Sequence, residues 1–279
     1  MVSNFHMPPV GYGPGSQPTE ENGEQLEYMK MPQDMRAYST HIPEVEAGEE
    51  LAPALTLLRD IAAAAARVGH GAANIQFDLS DLDEANRALI SETMGEGEVS
   101  VKIHDVPAIA AQESVFAGIW CLRGAGLDKI EVGSVPQGAL DRAFEPRRNA
   151  QGVNAPKAPG VVNAPPLYVE LTDKSAAFDP AAEAHVVNLT LLPHTEQDLA
   201  WLDTAMGLGS VDVLSRGYGN CRVTSTALPH VWRVQFYNSM DTLILDTFEV
   251  TKMPEVVIAA AEDLIDSSER VVEVVEAIT

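Results

Sequence analysis

Met94-Gly95-Glu96-Gly97-Glu98-Val99-Ser100-Val101 is rewritten further along the chain as Met206-Gly207-Leu208-Gly209-Ser210-Val211-Asp212-Val213, an offset of 112 positions. The same offset of 112 carries Leu79 to Leu191, Glu84 to Glu196, Ala88 to Ala200 and Trp120 to Trp232. Beyond the tryptophan the offset grows to 118, so Glu131-Val132 and Val135-Pro136 return as Glu249-Val250 and Met253-Pro254. A register kept over about forty residues and then broken by one insertion is the signature of a duplicated supersecondary unit. The fold expected from it is α+β: two tandem related strand-helix-strands units, with flanking helices and a disordered N-terminal tail.

Within that frame the period of the apolar residues assigns the elements. Leu51, Leu55, Leu58 and Ile61 form a helical stripe that ends at Gly69. A strand near 74–79, a helix near 82–94 and strands near 99–103, 115–122 and 127–132 complete the first unit. The second repeats the order, with a strand at 186–191 and a helix at 196–206. Thr195-x-x-Asp198 has the form of a capping box, so Thr195 is the expected N-cap. In 231–237, Trp232, Val234 and Phe236 alternate with Arg233, Gln235 and Tyr237, the period of a half-buried strand, which pairs with 242–250. A last helix, 260–278, buries Leu264, Val271, Val275 and Ile278.

The expected domains are a tail at 1–48, a first, structural repeat at 49–143, a linker at 144–166 rich in Pro, Asn, Ala and Gly, and a second, functional repeat at 167–279. The tail has six prolines and five glycines and no helical or strand period, too little apolar surface to offset the entropy of ordering. Met7, Met29, Met31 and Met35 lie in it and could adapt to an irregular apolar surface.

The two units differ where chemistry would sit. Leu214-Ser215-Arg216-Gly217-Tyr218-Gly219-Asn220-Cys221-Arg222 stands where the first unit has Lys102 to Ala110, and the insertion falls around Asn238-Ser239-Met240-Asp241. Scaffold positions match and the polar, glycine-rich ones do not. Arg216, Gly217, Tyr218, Gly219, Asn220, Cys221, Arg222, Asn238 and Asp241 are therefore the expected partner-binding residues, with arginine and tyrosine as anchors. The glycines permit a tight turn or an anion-binding nest, but the spacing is that of neither a P-loop nor a dinucleotide fingerprint.

At these residues the chain resembles a known family. LSRGYGNCRV (214–223) and VWRVQFYNSMDTLILDTFEV (231–250) are similar to the C-terminal domain of the hydrogenase expression/formation family (HupH/HyaF/HoxQ type), and the resemblance extends over Leu51 to Thr279. It implies a cytoplasmic, non-catalytic accessory chaperone in the maturation of a membrane-bound nickel-iron uptake hydrogenase. The implied client is the immature small subunit before export, and a thioredoxin-like accessory protein is the implied second partner. It implies no catalytic residue and no cofactor.

Composition agrees in what it excludes. With 41 acids against 18 bases the formal charge is −23, the wrong sign for a nucleic-acid binder. The most apolar runs, 61–68 and 256–261, are far shorter than the ~20 residues of a membrane-spanning helix. Cys121 and Cys221 make neither a disulfide framework nor a CxxC motif. The alternative function is a metal- or thiol-dependent enzyme or cofactor carrier centred on Cys221. Arg222 would lower its pKa, and His194 or His230 would act as base. His194, Cys221, His230, Asp241 and Asp246 could ligate a metal, but their spacing matches no known ligand pattern, so no metal is expected.

Overall fold

Apolar stripes and capping residues set the helices. In the computed structural model, which describes residues 48–217 and 219–279, Ala52–Gly69 (α1) buries Leu55, Leu58, Ile61 and Val68, with a proline in the first turn, where its missing N–H costs nothing. There follow β1 (Ile75–Asp78), α2 (Glu84–Met94), β2 (Val99–Ile103), β3 (Ile109–Glu113), β4 (Ile119–Gly124), β5 (Leu127–Val132) and α3 (Gln137–Arg142). The second half has α4 (Ala164–Ala176), β6 (His185–Asn188), α5 (Glu196–Met206), β7 (Val211–Ser215), β8 (Asn220–Ser225), β9 (Val231–Tyr237), β10 (Leu243–Val250) and α6 (Ala261–Ile278). The tail expected at 1–48 lies, but for Gly48, outside the described residues.

Among the described residues the ten strands join one antiparallel sheet in the order β1-β5-β4-β3-β2-β7-β8-β9-β10-β6. Each half begins on an outer edge, β1 or β6, pairs that edge with its own last strand, and steps inward to β2 or β7. At the centre β2 runs against β7 with Val101 opposite Val213, Val99 opposite Ser215 and Ile103 opposite Val211. Val101 thus faces the residue 112 positions ahead of it.

The alternation of side chains gives the sheet two unlike faces. On one face Val99, Val101, Trp120, Leu122, Val211, Val213, Val223, Trp232 and Val234 form a core closed by Ala139 of α3 and by Met253 and Val257. Trp120 Nε1 donates to Gly133 O at 2.9 Å, and Trp232 Nε1 donates to Thr251 O at 3.2 Å. On the other face α1, α2 and α6 cover the end of the sheet carrying Ile119, Ile130 and Val132. There α4 and α5 cover the opposite end, with Val187, Val231, Phe248 and Val250. Between these two helical layers β3, β2, β7 and β8 stay open: Lys102, Ala110 and Arg222 are exposed on a shared floor.

Three local outcomes differ from the sequence expectation. The strand placed at 115–122 begins only at Ile119, as β4, and an unexpected strand, β3, precedes it; Ser114 and Phe116 close the turn between the two, in which Ser114 Oγ donates to Phe116 O at 2.8 Å. The strand placed at 186–191 ends at Asn188, whose side chain accepts from Leu191 N and starts a 3-10 turn. The linker placed at 144–166 runs into α4, whose prolines occupy its first turn. That helix start is held from a distance. Asp198, with no exposed surface, accepts from Val162 N at 2.8 Å and from Asn163 N and Ala164 N at 3.0 Å. Its other oxygen completes the capping box of α5 by accepting from Thr195 N at 3.0 Å. Burial alone would raise its pKa; these four donors overcome that and hold it at about 2.

Candidate functional site

The loop between β7 and β8 and the turn between β9 and β10 meet because their strands are neighbours, with Asn220 opposite Tyr237 and Leu214 opposite Arg222. Asn220 Nδ2 reaches Asp241 Oδ1 at 3.3 Å, and the Arg222 guanidinium lies 5.9 Å from the centre of the Tyr237 ring. Arg216, anchored by its own N–H to Glu98 O at 3.1 Å, completes the rim of a cleft of about 370 Å³. Gly219, at φ 106°, supplies the left-handed turn that L side chains disfavour. Gly217 stands beside the Glu98 carboxylate, where a Cβ would collide with it. Tyr218 lies outside the described residues.

Arg216, Asn220, Arg222 and Asp241 of the expected set are thus brought together. Asn238 has a different position in the site: its side-chain oxygen accepts from Met240 N at 2.9 Å and Thr242 N at 3.0 Å, so it builds the turn. The turn leaves Met240, Leu243 and Ile244 exposed.

Cys221 is a correction. It points to the opposite side of β8 from Arg222, into the core beside Val213 and Val223, and is 2% exposed. Burial, with the Glu249 charge adding to it, pushes the thiol up to about 12, the reverse of the lowering expected from Arg222. Cys221 therefore cannot contact a partner in the folded chain. Cys121 is partly buried, and burial pushes it up to about 11. His230 stacks on Phe178 with ring centres 3.9 Å apart, and burial lowers its pKa. Asp246 pairs with Arg233 through two contacts of 3.0 and 2.6 Å. Among the described residues no group of three His, Cys, Asp or Glu side chains is placed to hold a metal.

The site is also wider than the second half. Arg222 borders a second cleft, of about 660 Å³, over the open middle of the sheet, where Lys102 of β2 and Arg123 of β4 join it from the first half. Asp212 sits between the halves, 2.7 Å from His104 Nε2 and 3.4 Å from Arg147 Nη2. Comparison of the two units does not single out Lys102 and Arg123, because both lie in the unit that lacks the polar, glycine-rich segment. The alternation Val99-Ser100-Val101-Lys102-Ile103 held the signal, since it puts Lys102 on the face the valines leave.

The geometry is that of an open sheet face rimmed by cations, with Cys221 buried beneath it. A family model for the HupH hydrogenase expression protein, C-terminal conserved region, matches residues 161–278. Hydrogenase expression/formation protein HupH of Rhodobacter capsulatus is 62% identical over 278 residues, spanning 100% of both chains. HoxQ of Cupriavidus necator, of the same description, is 43% identical over 281 residues, covering 99% of this chain and 98% of its own. Hydrogenase-1 operon protein HyaF of Escherichia coli is 35% identical over 207 residues, 72% of each chain. The chain belongs to the hydrogenase expression/formation family. Among the described residues no helix is long and apolar enough to cross a membrane.

Proposed function

We propose that this protein is a non-catalytic accessory chaperone in the maturation of a membrane-bound nickel-iron uptake hydrogenase, and that it holds the immature small subunit in the cytoplasm before export. Similarity to the R. capsulatus hydrogenase expression/formation protein over the whole chain, at 62% identity, carries the reading. The site is compatible with it: arginine and tyrosine, which rim the cleft, are residue types that anchor protein partners. The competing thiol-enzyme reading is disfavoured by geometry, because Cys221 is 2% exposed and lies in the core under the sheet face. A thioredoxin-like accessory protein is the second proposed partner.

The same reading takes the halves as copies of one unit, with 49–143 structural, 144–166 connecting and 167–279 functional. Two hydrogen-bonded tryptophans 112 positions apart support it. The test is affinity capture of tagged full-length protein from cells expressing the hydrogenase operon. The small-subunit precursor should co-purify, and substitution of Arg216 and Arg222 by alanine should release it. A chain that retains only mature, assembled enzyme, or no hydrogenase subunit, overturns the proposal.

A further inference from the structure

We propose that the open middle of the sheet is a docking groove for an acidic segment of a partner protein, gripped by Lys102, Arg123, Arg147 and Arg222. The proposal rests on the accessory reading only in taking the occupant to be a protein. Its first support is charge. In a chain with 41 acids and 18 bases, a random patch is acidic, yet this groove gathers four cations around one carboxylate. That carboxylate, Asp212, is already engaged by His104 and Arg147. Even with Asp128 standing opposite Arg123 on β5, the lining of the groove is net positive inside a negative molecule, which favours acidic partners.

The second support is shape. The cations come from separate elements: β2, β4, β8 and the segment before α4. Arg123 is braced on α2 by its hydrogen bond to Ser91 Oγ at 3.2 Å, and Arg222 lies over the Tyr237 ring. The floor between them is of small or apolar side chains, Ala108, Ala110 and Leu214. From β3 to β8 are three inter-strand gaps, about 14 Å. A helix with its side chains is about 10–12 Å across, so the space between the two helical layers admits one further segment. A small anion would need donors converging on one point. Cations spread across the groove suit several carboxylates carried along one chain.

The experiment titrates the full-length protein with a short fluorescein-labelled peptide of Glu, Leu and Ala, read by anisotropy, against the same peptide with Lys for Glu. The glutamate peptide should bind, the lysine peptide should not, and added salt should weaken binding. Lys102→Glu with Arg222→Glu should weaken it about tenfold or more. Arg59→Glu with Arg67→Glu, on the exposed side of α1, changes net charge equally and should leave it unaltered. Thermal melts check both variants, and Lys102→Gln with Arg222→Gln replaces the first pair if it fails to fold. Equal losses in the groove and α1 variants, equal binding of the two peptides, or displacement of the peptide by inorganic phosphate at lower concentration each overturn the proposal. Failure of the glutamate peptide to bind overturns the groove alone, since the accessory role is judged by capture of the precursor.

Discussion

The two ends of the sheet place equivalent residues in equivalent bonds and finish them differently. Trp120 and Trp232 are both fully buried, and both donate to a backbone oxygen just past the next strand. Yet β4 and β5 turn through a tight glycine hairpin, whereas β9 and β10 carry a longer one whose tip exposes Met240 and Ile244. The loop between β2 and β3 presents Val106 to solvent, while its counterpart between β7 and β8 presents Arg216. Shared bonds make the scaffold, and the unshared turns make the surface. The half with the plainer loops still contributes to the open face, since the groove over the central strands takes Lys102 and Arg123 from it.

The sharpest way to break this comparison is to remove the shared tryptophans. Trp120→Ala and Trp232→Ala should each cost about 3–5 kcal/mol in urea unfolding, from lost burial and a cavity. A large loss at one and none at the other would show that the halves do not share a scaffold.

The helix caps come next. Asp198 serves both α4 and α5 with four backbone donors, whereas Asp83, the N-cap of α2, accepts only within its own helix start, from Asn86 N and Nδ2. Asp198→Ala should cost about 3 kcal/mol by leaving donors unpaired. Asp83→Ala should cost about 1 kcal/mol, as an ordinary cap does. Because the Asp198 pKa is lowered, its contribution is present above the unfolded value of 3.8 and is lost as pH falls through about 2.

A third contrast is titratable. Glu113 and its counterpart 112 positions on, Ser225, occupy the same place beside the central strands. Burial pushes Glu113 up to about 7 from 4.5, so between those values the folded chain keeps a proton that the unfolded chain has lost. Stability should fall as pH rises through that window, by up to about 3 kcal/mol, and Glu113→Gln should flatten the dependence. Denaturant midpoints at about pH 5 and about pH 8 check it; a wild-type profile as flat as that of the glutamine variant removes the claim.

The smallest effects belong to the surface and the thiols. Arg216→Ala and Arg222→Ala should shift stability by less than about 1 kcal/mol while releasing the partner. Iodoacetamide at neutral pH should label Cys121 slowly and Cys221 more slowly still, until the chain unfolds. Faster labelling of Cys221 would mean that β8 opens in the native state.

Local rules made much of this legible. α5 begins at Glu196 behind its Thr195–Asp198 capping box, and β9 spans Val231–Tyr237 with its apolar side inward. Those assignments depend on side-chain reach over three residues and on period two, which the chain carries in itself. β3 was not legible because Ile109-Ala110-Ala111-Gln112-Glu113 has little β-branched character, and pairing with β2 and β4 on both sides makes it a strand. α4 was not legible because its capping carboxylate is Asp198, more than thirty residues further on.

Sequence by itself determined the recurrence of residues at a fixed offset, the cap of α5, the apolar side of β9 and the family, all of them matters of spacing and identity along one chain. Only the tertiary structure decided that β2 would pair with β7, joining the halves into one sheet, and that the helical layers would leave its middle bare. It also decided that Cys221 would be core while Arg222 stood at the meeting of two clefts. The physical reason is that burial, cross-strand partners and local field depend on residues far away in sequence. A motif specifies a strand's sides, and the rest of the fold decides which side meets water.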